Sequence, residues 1–109
     1  MTKELMMYSR TVGCPGVHTV KRVLEQYAIA YRELHIDRDN AARERLLDWV
    51  GFLSVPTLVV ANPGESIPYE TPTPLPNGQS PRGIDRGTII TEPNTDELVA
   101  WLHKHELLE

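Results

Sequence analysis

Residues 5–20 of the chain read LMMYSRTVGCPGVHTV. The apolar run over 5–8 is followed by polar residues, a pattern typical of a short buried strand that leads into a turn. Pro15 then predicts the start of a helix, because proline is favoured at the first helical position, where its missing N–H would have no partner. Apolar residues recur after it at a spacing of three and four, up to Tyr27. The stretch therefore predicts a strand, a turn and a helix from Pro15 to about Tyr27, with Cys14 at the N-terminus of the helix.

The rest of the chain predicts three further strands and two further helices. These are a strand within 29–36, a helix over 41–50 that stops at Gly51, a strand over 58–61, a strand over 88–91 and a helix that begins at Asn94 with a capping-box pattern. The order β-α-β-α-β-loop-β-α indicates an α/β fold. Its first β-α-β unit is expected to be parallel and right-handed.

Residues 62–87 differ from the segments around them. They contain most of the prolines and glycines of the chain and no sustained apolar period. Such a stretch predicts a long loop or an inserted lobe, and long loops in compact domains are often functional. The length of 109 residues fits one domain. We therefore expect a single domain, residues 1–109, with an insertion loop over 62–87.

Composition limits the partners and the compartment. The chain has 11 Lys and Arg against 15 Asp and Glu, a net charge of −4, and no concentrated basic face, which argues against nucleic acid. Its apolar stretches, such as Leu58–Ala61, fall far short of the roughly 20 residues that cross a bilayer. A lone cysteine cannot form an internal disulfide, and the first residues lack the apolar core of a signal peptide. The sequence predicts a cytoplasmic protein with no membrane partner.

Three features together resemble the glutaredoxin family of the thioredoxin fold. They are a strand that ends at Arg10, a helix start at Cys14-Pro15-Gly16-Val17, and the segment Ser54-Val55-Pro56-Thr57 before a strand. The resemblance covers nearly the whole chain outside the insertion. It implies a four-stranded mixed sheet flanked by three helices, with the proline-rich insertion before the last strand. It also implies that Val55 precedes a cis Pro56 that faces the thiol.

The chain departs from the family pattern at three places. Dithiol members carry Cys-Pro-Tyr-Cys, whereas Gly16 and Val17 stand in the last two positions here, so the resolving thiol is missing. The loop from Tyr8 to Cys14 is one residue longer than the family's usual loop. The family's cluster of glycine and aspartate before the last helix is replaced by residues 91–96.

Cys14 is the predicted catalytic residue. A helix N-terminus presents unpaired N–H groups and the positive end of the helix dipole, both of which stabilise a thiolate. The resemblance implies that six further residues bind glutathione. They are Arg10, Pro15, Val55, Pro56, Thr95 and Asp96.

Each of these assignments has a structural alternative. Cys14 is otherwise a small packed apolar residue, and Pro56 a turn proline that starts a strand. Thr95 and Asp96 are otherwise helix-capping residues. The four histidines do not predict a metal site, because only the last two are close in sequence and a spacing of two places them on different helix faces. His18 follows Cys14 by one helical turn and is expected either near the thiolate or exposed.

The resemblance implies a monothiol oxidoreductase that uses glutathione as co-substrate and acts on thiol or disulfide proteins. A second hypothesis is an iron–sulfur carrier, in which Cys14 from each of two subunits and two glutathiones hold the cluster. The family's cluster-binding signature is Cys-Gly-Phe-Ser, however, and Pro15 replaces its glycine. A third hypothesis is a binding module that has kept the fold without the chemistry. We expect a monomer, and a dimer only if a cluster is bound.

Overall fold

A computed structural model describes residues 3–12, 14–76 and 79–108. The loop before Cys14 and the insertion therefore each include positions outside the described residues, at 13 and at 77–78. Four strands and three helices occur within the described residues. They are β1 (Glu4–Ser9), α1 (Pro15–Gln26), β2 (Arg32–His35), α2 (Asn40–Val50), β3 (Thr57–Ala61), β4 (Ile89–Thr91) and α3 (Thr95–Lys104). Each element lies where the sequence predicts it.

The described strands form one mixed sheet in the order β2-β1-β3-β4. β1 is parallel to β2 and antiparallel to β3, and β3 is antiparallel to β4. The two central strands are almost entirely buried, whereas the edge strand β2 is not. A strand covered on both faces reads as a continuous apolar run, which explains the run at 5–8 and the one in β3. The expected four-stranded mixed sheet flanked by three helices is confirmed for the described residues.

The ends of the helices follow local chemistry. α1 begins at Pro15, with Cys14 as its N-cap residue in an extended conformation. The Asp39 carboxylate accepts the Ala42 N–H at 3.1 Å and caps α2, which stops at Gly51 because the chain there turns to a φ of +84°. Glycine adopts this left-handed conformation without the steric cost that other residues meet.

The core lies between the sheet and the helices. The buried stripe of α1, which includes Val20 and Leu24, packs in one cluster with Leu98, Trp101 and Leu102 of α3. Hydrophobic burial of this kind contributes most of the free energy of folding. The contacts between α1 and α3 fix the N-terminus of α1, and with it Cys14, relative to the start of α3.

The insertion connects β3 to β4 without a helix or strand in its described parts, 62–76 and 79–87. It touches the sheet through two isolated bridges, Ala61 with Pro68 and Arg82 with Thr91. Arg86 is buried within it and is 6 % exposed. Across the described ranges, no helix combines the length and the apolar character that spanning a membrane requires.

Candidate functional site

The thiol of Cys14 lies at the junction of α1 and the segment before β3. The residue is partly buried, and its Sγ lies 3.9 Å from the carbonyl oxygen of Val55. As the N-cap of α1, Cys14 places this sulfur beside the first turn, where backbone N–H groups have no partner within the helix. Its carbonyl oxygen accepts the His18 N–H at 3.1 Å, which fixes the residue to the helix. The sulfur is therefore held in place and remains accessible.

The Val55–Pro56 peptide bond facing the thiol is cis, as the resemblance implies. Gly16 lies against this segment, since a Cβ at position 16 would lie 3.2 Å from Pro56 Cδ and 4.0 Å from Cys14 Sγ. The absence of a side chain at Gly16 lets the first turn of α1 approach Pro56 closely. On the other side, the Glu92 N–H donates to the Pro56 carbonyl at 2.7 Å. Pro56 is thus held between the start of α1 and the end of β4.

A cleft of about 600 Å³ opens beside Cys14, and we call it the thiol cleft. It is lined by Cys14, Pro15, Gly16, Arg82, Gly83, Glu92, Pro93, Asn94 and Glu97. The first turn of α1 forms one side, and the insertion and the start of α3 form the other. Of the six residues expected to bind glutathione, Pro15 alone belongs to this lining. The other five lie outside it: Arg10, Thr95 and Asp96 are exposed, and Val55 and Pro56 are buried.

The start of α3 is closed by a capping box. The Asn94 side chain accepts the Glu97 N–H, and the Glu97 carboxylate accepts the Asn94 N–H, both at 2.8 Å. Pro93 has no N–H, and the Glu92 N–H already donates to Pro56. The N–H groups of Thr95 and Asp96 are the two in this first turn that the capping box does not engage.

Arg10 lies in a second cavity of about 340 Å³, which we call the arginine cavity. It is lined by Arg10, Ile36, Asp37, Arg38, Asp39, Asn40, Arg43 and Leu53. Three guanidinium groups face two carboxylates there, at the N-terminus of α2, and this combination favours an anion. Leu53 stands two residues before Val55 in the chain, so the cavity borders the segment that faces the thiol. Arg10 and Cys14 line different cavities.

Asp37 remains ionised within this arginine cavity. Desolvation raises the pKa of its carboxyl, but hydrogen bonds from the Thr11 N–H at 3.1 Å and the Thr11 hydroxyl at 3.0 Å lower the pKa by more. The net pKa lies below the usual value for aspartate. The carboxylate therefore ties the loop before Cys14 to the start of α2, because it holds Thr11 at both donors.

Sequence reasoning did not single out Arg82, Gly83 or Glu92 as site residues. Arg82 and Arg86 are the only basic residues of the insertion, and that was the one available signal. The spacing of residues in the sequence does not predict that the insertion brings Arg82 to the same cleft as Cys14. His18 is exposed on α1. Within 3–12, 14–76 and 79–108, no group of three or more His, Cys, Asp or Glu side chains is placed to hold a metal ion.

The sequence model of the glutaredoxin family matches residues 5–64. The chain belongs to the glutaredoxin family. This match covers the region from β1 through β3, which includes Cys14, Val55 and Pro56. The family and the fold together support a function of the thiol–disulfide oxidoreductase type for this glutaredoxin. Arg82 and Glu92 lie beyond the matched residues.

The chain is also similar to several solved structures. The crystal structure of the thioredoxin-like protein BC3987 is 33% identical, with 57% of this chain and 89% of that chain covered and a TM-score of 0.46. A mutant of BC3987 is 34% identical over 63% and 86% of the two chains, also with a TM-score of 0.46. The buckwheat glutaredoxin–glutathione complex is 27% identical over 51% and 53%, with a TM-score of 0.44. No curated protein matches the chain.

Proposed function

We propose that this glutaredoxin is a monothiol, glutathione-dependent oxidoreductase that acts through Cys14. The observation that carries the proposal is the position of the Cys14 sulfur, at the N-terminus of α1 and 3.9 Å from the Val55 carbonyl. A helix N-terminus stabilises the thiolate, which is the nucleophilic form of cysteine. The cleft beside the sulfur leaves room for the second sulfur of a mixed disulfide.

The chemistry proceeds by two thiol–disulfide exchanges. The Cys14 thiolate attacks the glutathione sulfur of a glutathionylated protein, a new S–S bond forms on Cys14, and the protein leaves as a thiolate that takes up a proton. A second glutathione, as its thiolate, then attacks the glutathione sulfur bound to Cys14. Oxidised glutathione leaves, and the Cys14 thiolate is restored. Overall, the sulfur of the second glutathione is oxidised by one electron and the protein sulfur is reduced by one, while the first glutathione passes from one disulfide to another.

Different residues around the thiol are expected to bind different parts of glutathione. We expect the backbone at Val55, which Pro56 holds in place, to pair in a strand-like manner with the cysteinyl part of the ligand. Arg10, with Arg38 and Arg43 in the arginine cavity, offers guanidinium groups to a carboxylate. The free N–H groups of Thr95 and Asp96 offer a weaker contact at the other end, and Pro15 forms part of the cleft wall.

The proposal is tested by mass spectrometry on the purified protein. Treatment with oxidised glutathione is expected to add one glutathione to the wild type and none to Cys14→Ser, because Cys14 is the only thiol. The matched variant His18→Ala, changed one turn along α1 at an exposed position, is expected to gain the adduct. Turnover is then followed with a glutathionylated peptide and reduced glutathione. A wild type that forms no adduct contradicts the proposal.

The same variants separate the alternatives. If Cys14→Ser retains the function of the wild type in cells, the chain is a binding module rather than an oxidoreductase. Anaerobic reconstitution with iron and sulfide tests the cluster-carrier hypothesis, which a protein that stays colourless and monomeric contradicts. Both results are independent of the adduct measurement.

A further inference from the structure

One cation lines the thiol cleft among the described residues, and it comes from the insertion. Arg82 Nη2 lies 3.0 Å from Glu92 Oε1, and the two side chains are 71% and 28% exposed. The cleft also contains the Glu97 carboxylate. The thiol cleft therefore contains one guanidinium group and two carboxylates. The wall opposite Cys14 has both a positively and a negatively charged part.

The backbone fixes the position of Arg82. Arg82 forms a parallel bridge with Thr91, and the Gly83 N–H donates to the Thr91 carbonyl at 2.7 Å. Gly83 has a φ of +72° and lies against Glu97, since a Cβ there would approach the carboxylate oxygens to 2.7 Å. A segment anchored in this way loses little conformational entropy when its side chain binds a ligand.

Two of the four N–H groups at the start of α3 are engaged, and the other two, of Thr95 and Asp96, belong to exposed residues outside the lining of the thiol cleft. The capping box uses the N–H groups of Asn94 and Glu97, and Pro93 has none. The acidic side chains of Glu92 and Glu97 also disfavour a carboxylate that has only backbone partners. A carboxylate that enters the thiol cleft therefore finds its strongest partner in the Arg82 guanidinium, which accommodates two carboxylate oxygens at once.

We propose that Arg82 and Glu92 form the subsite for the free α-amino-acid end of the thiol ligand, with Arg82 binding the carboxylate and Glu92 the ammonium. This inference rests on the function proposed above. In glutathione, the γ-glutamyl residue carries this pair of opposite charges next to the cysteine. Arg82 and Glu92 are already adjacent, so the zwitterion meets two complementary charges in one place.

The test compares two mixed disulfides on the same peptide, one with glutathione and one with cysteinylglycine, which lacks the γ-glutamyl residue. Arg82→Ala is expected to raise KM for the glutathionylated peptide about tenfold, with little change in kcat. The KM for the cysteinylglycine peptide is expected to change less than twofold. Arg82→Lys keeps the charge without the two-pronged geometry and is expected to give an intermediate KM. Glu92→Gln is expected to raise KM for the glutathionylated peptide by a smaller factor.

The controls separate this inference from the proposed function. Arg22→Ala changes an exposed arginine on α1 outside the cleft lining and is expected to leave both KM values unchanged. A wild type that processes neither peptide overturns the proposed function and the inference together. A wild type that processes both, with Arg82→Ala altering the two KM values equally or neither of them, overturns the Arg82–Glu92 subsite alone.

Discussion

Two regions of this glutaredoxin are held in place by different means. Residues 4–61 form β1 through β3 around a continuous apolar core, and their periodic pattern corresponds to buried faces. The described parts of the insertion, 62–76 and 79–87, have no such pattern. The insertion is attached mainly by polar groups that bond to backbone atoms. A segment without secondary structure can therefore be fixed firmly enough to line a site.

Hydrogen bonds at long sequence separation join parts of the insertion to each other and to their surroundings. Arg86 donates to the carbonyl oxygens of Thr73 and Trp49, both at 2.7 Å. The Tyr8 hydroxyl donates to the Ser66 carbonyl, and the Trp101 indole N–H donates to the Gly87 carbonyl at 2.8 Å. These bonds satisfy carbonyl groups that the irregular backbone would otherwise leave without partners.

The largest loss of stability is expected from a core substitution in the first region. Leu24 is 0 % exposed between the sheet and α3, so Leu24→Ala removes apolar contacts and leaves a cavity. We expect the free energy of unfolding to fall by about 2–5 kcal/mol, measured by urea denaturation. Leu47→Ala, at a residue 38% exposed on α2, is the control and is expected to cost less than about 1 kcal/mol. Equal effects at the two positions would contradict the buried stripe of α1.

The insertion is tested by Arg86→Met, which keeps the apolar bulk and removes the guanidinium. The carbonyl groups of Thr73 and Trp49 lose their partner, so we expect a loss of about 1–3 kcal/mol in the free energy of unfolding. Hydrogen exchange within 62–76 is expected to become faster. Burial lowers the pKa of Arg86. Within the described residues the Arg86 guanidinium forms no ion pair, so the backbone carbonyl groups are its main partners. The substitution Arg22→Met, at an exposed position, is the control. An unchanged exchange rate in Arg86→Met would contradict the statement that polar contacts to backbone atoms hold the insertion in place.

The first region could be predicted from the sequence because burial leaves a periodic trace. Pro15 marks the start of α1 and Gly51 the end of α2, each through local chemistry. Beyond the insertion, Asn94 with Glu97 marks the capping box of α3 in the same way. The insertion leaves no such trace. The partners of Arg86 are carbonyl groups, which every residue carries, so nothing in the sequence identifies Thr73 or Trp49.

The smallest expected effect concerns an ion pair at the exposed edge of the sheet. Partial burial raises the pKa of the Glu33 carboxyl, but hydrogen bonds from Ser9 and Lys21, with the charges of Lys21 and His35, lower it by more. The folded-state pKa lies below the ordinary value of 4.5. A depressed carboxyl pKa stabilises the fold above the unfolded-state pKa, and this contribution disappears as the pH falls through the folded-state pKa.

Glu33→Gln is therefore expected to cost less than about 1 kcal/mol at pH 7. The difference from the wild type should shrink as the pH falls below about 4.5, the unperturbed value. Urea denaturation at several pH values measures it, with Glu25→Gln on the exposed face of α1 as the control. A difference that grows in acid would contradict the assigned sign. It would also show that the contacts of Glu33 with Ser9 and Lys21 do not stabilise its carboxylate in the folded state.

The candidate site shows the same division. Cys14 and Pro56 could be predicted as candidates from the sequence because each stands next to the start of a regular element. The placement of Arg82 depends on a path of some twenty residues through the insertion, and its two anchors, Thr91 and Glu92, lie beyond it in the chain. No local sequence pattern predicts the course of the chain through the insertion. The position of Arg82 is known only from the folded backbone.

The bridge between Arg82 and Thr91 has one more consequence, for association between molecules. A strand at the edge of a sheet presents unpaired backbone groups that can pair with another chain and begin aggregation. β4 lies at one edge of the described sheet, and Thr91 already accepts the Gly83 N–H there. The end of the insertion thus shields one side of the sheet against edge-to-edge pairing. At the opposite edge, β2 is only four residues long and includes Arg32 and Glu33, whose charges discourage the same contact.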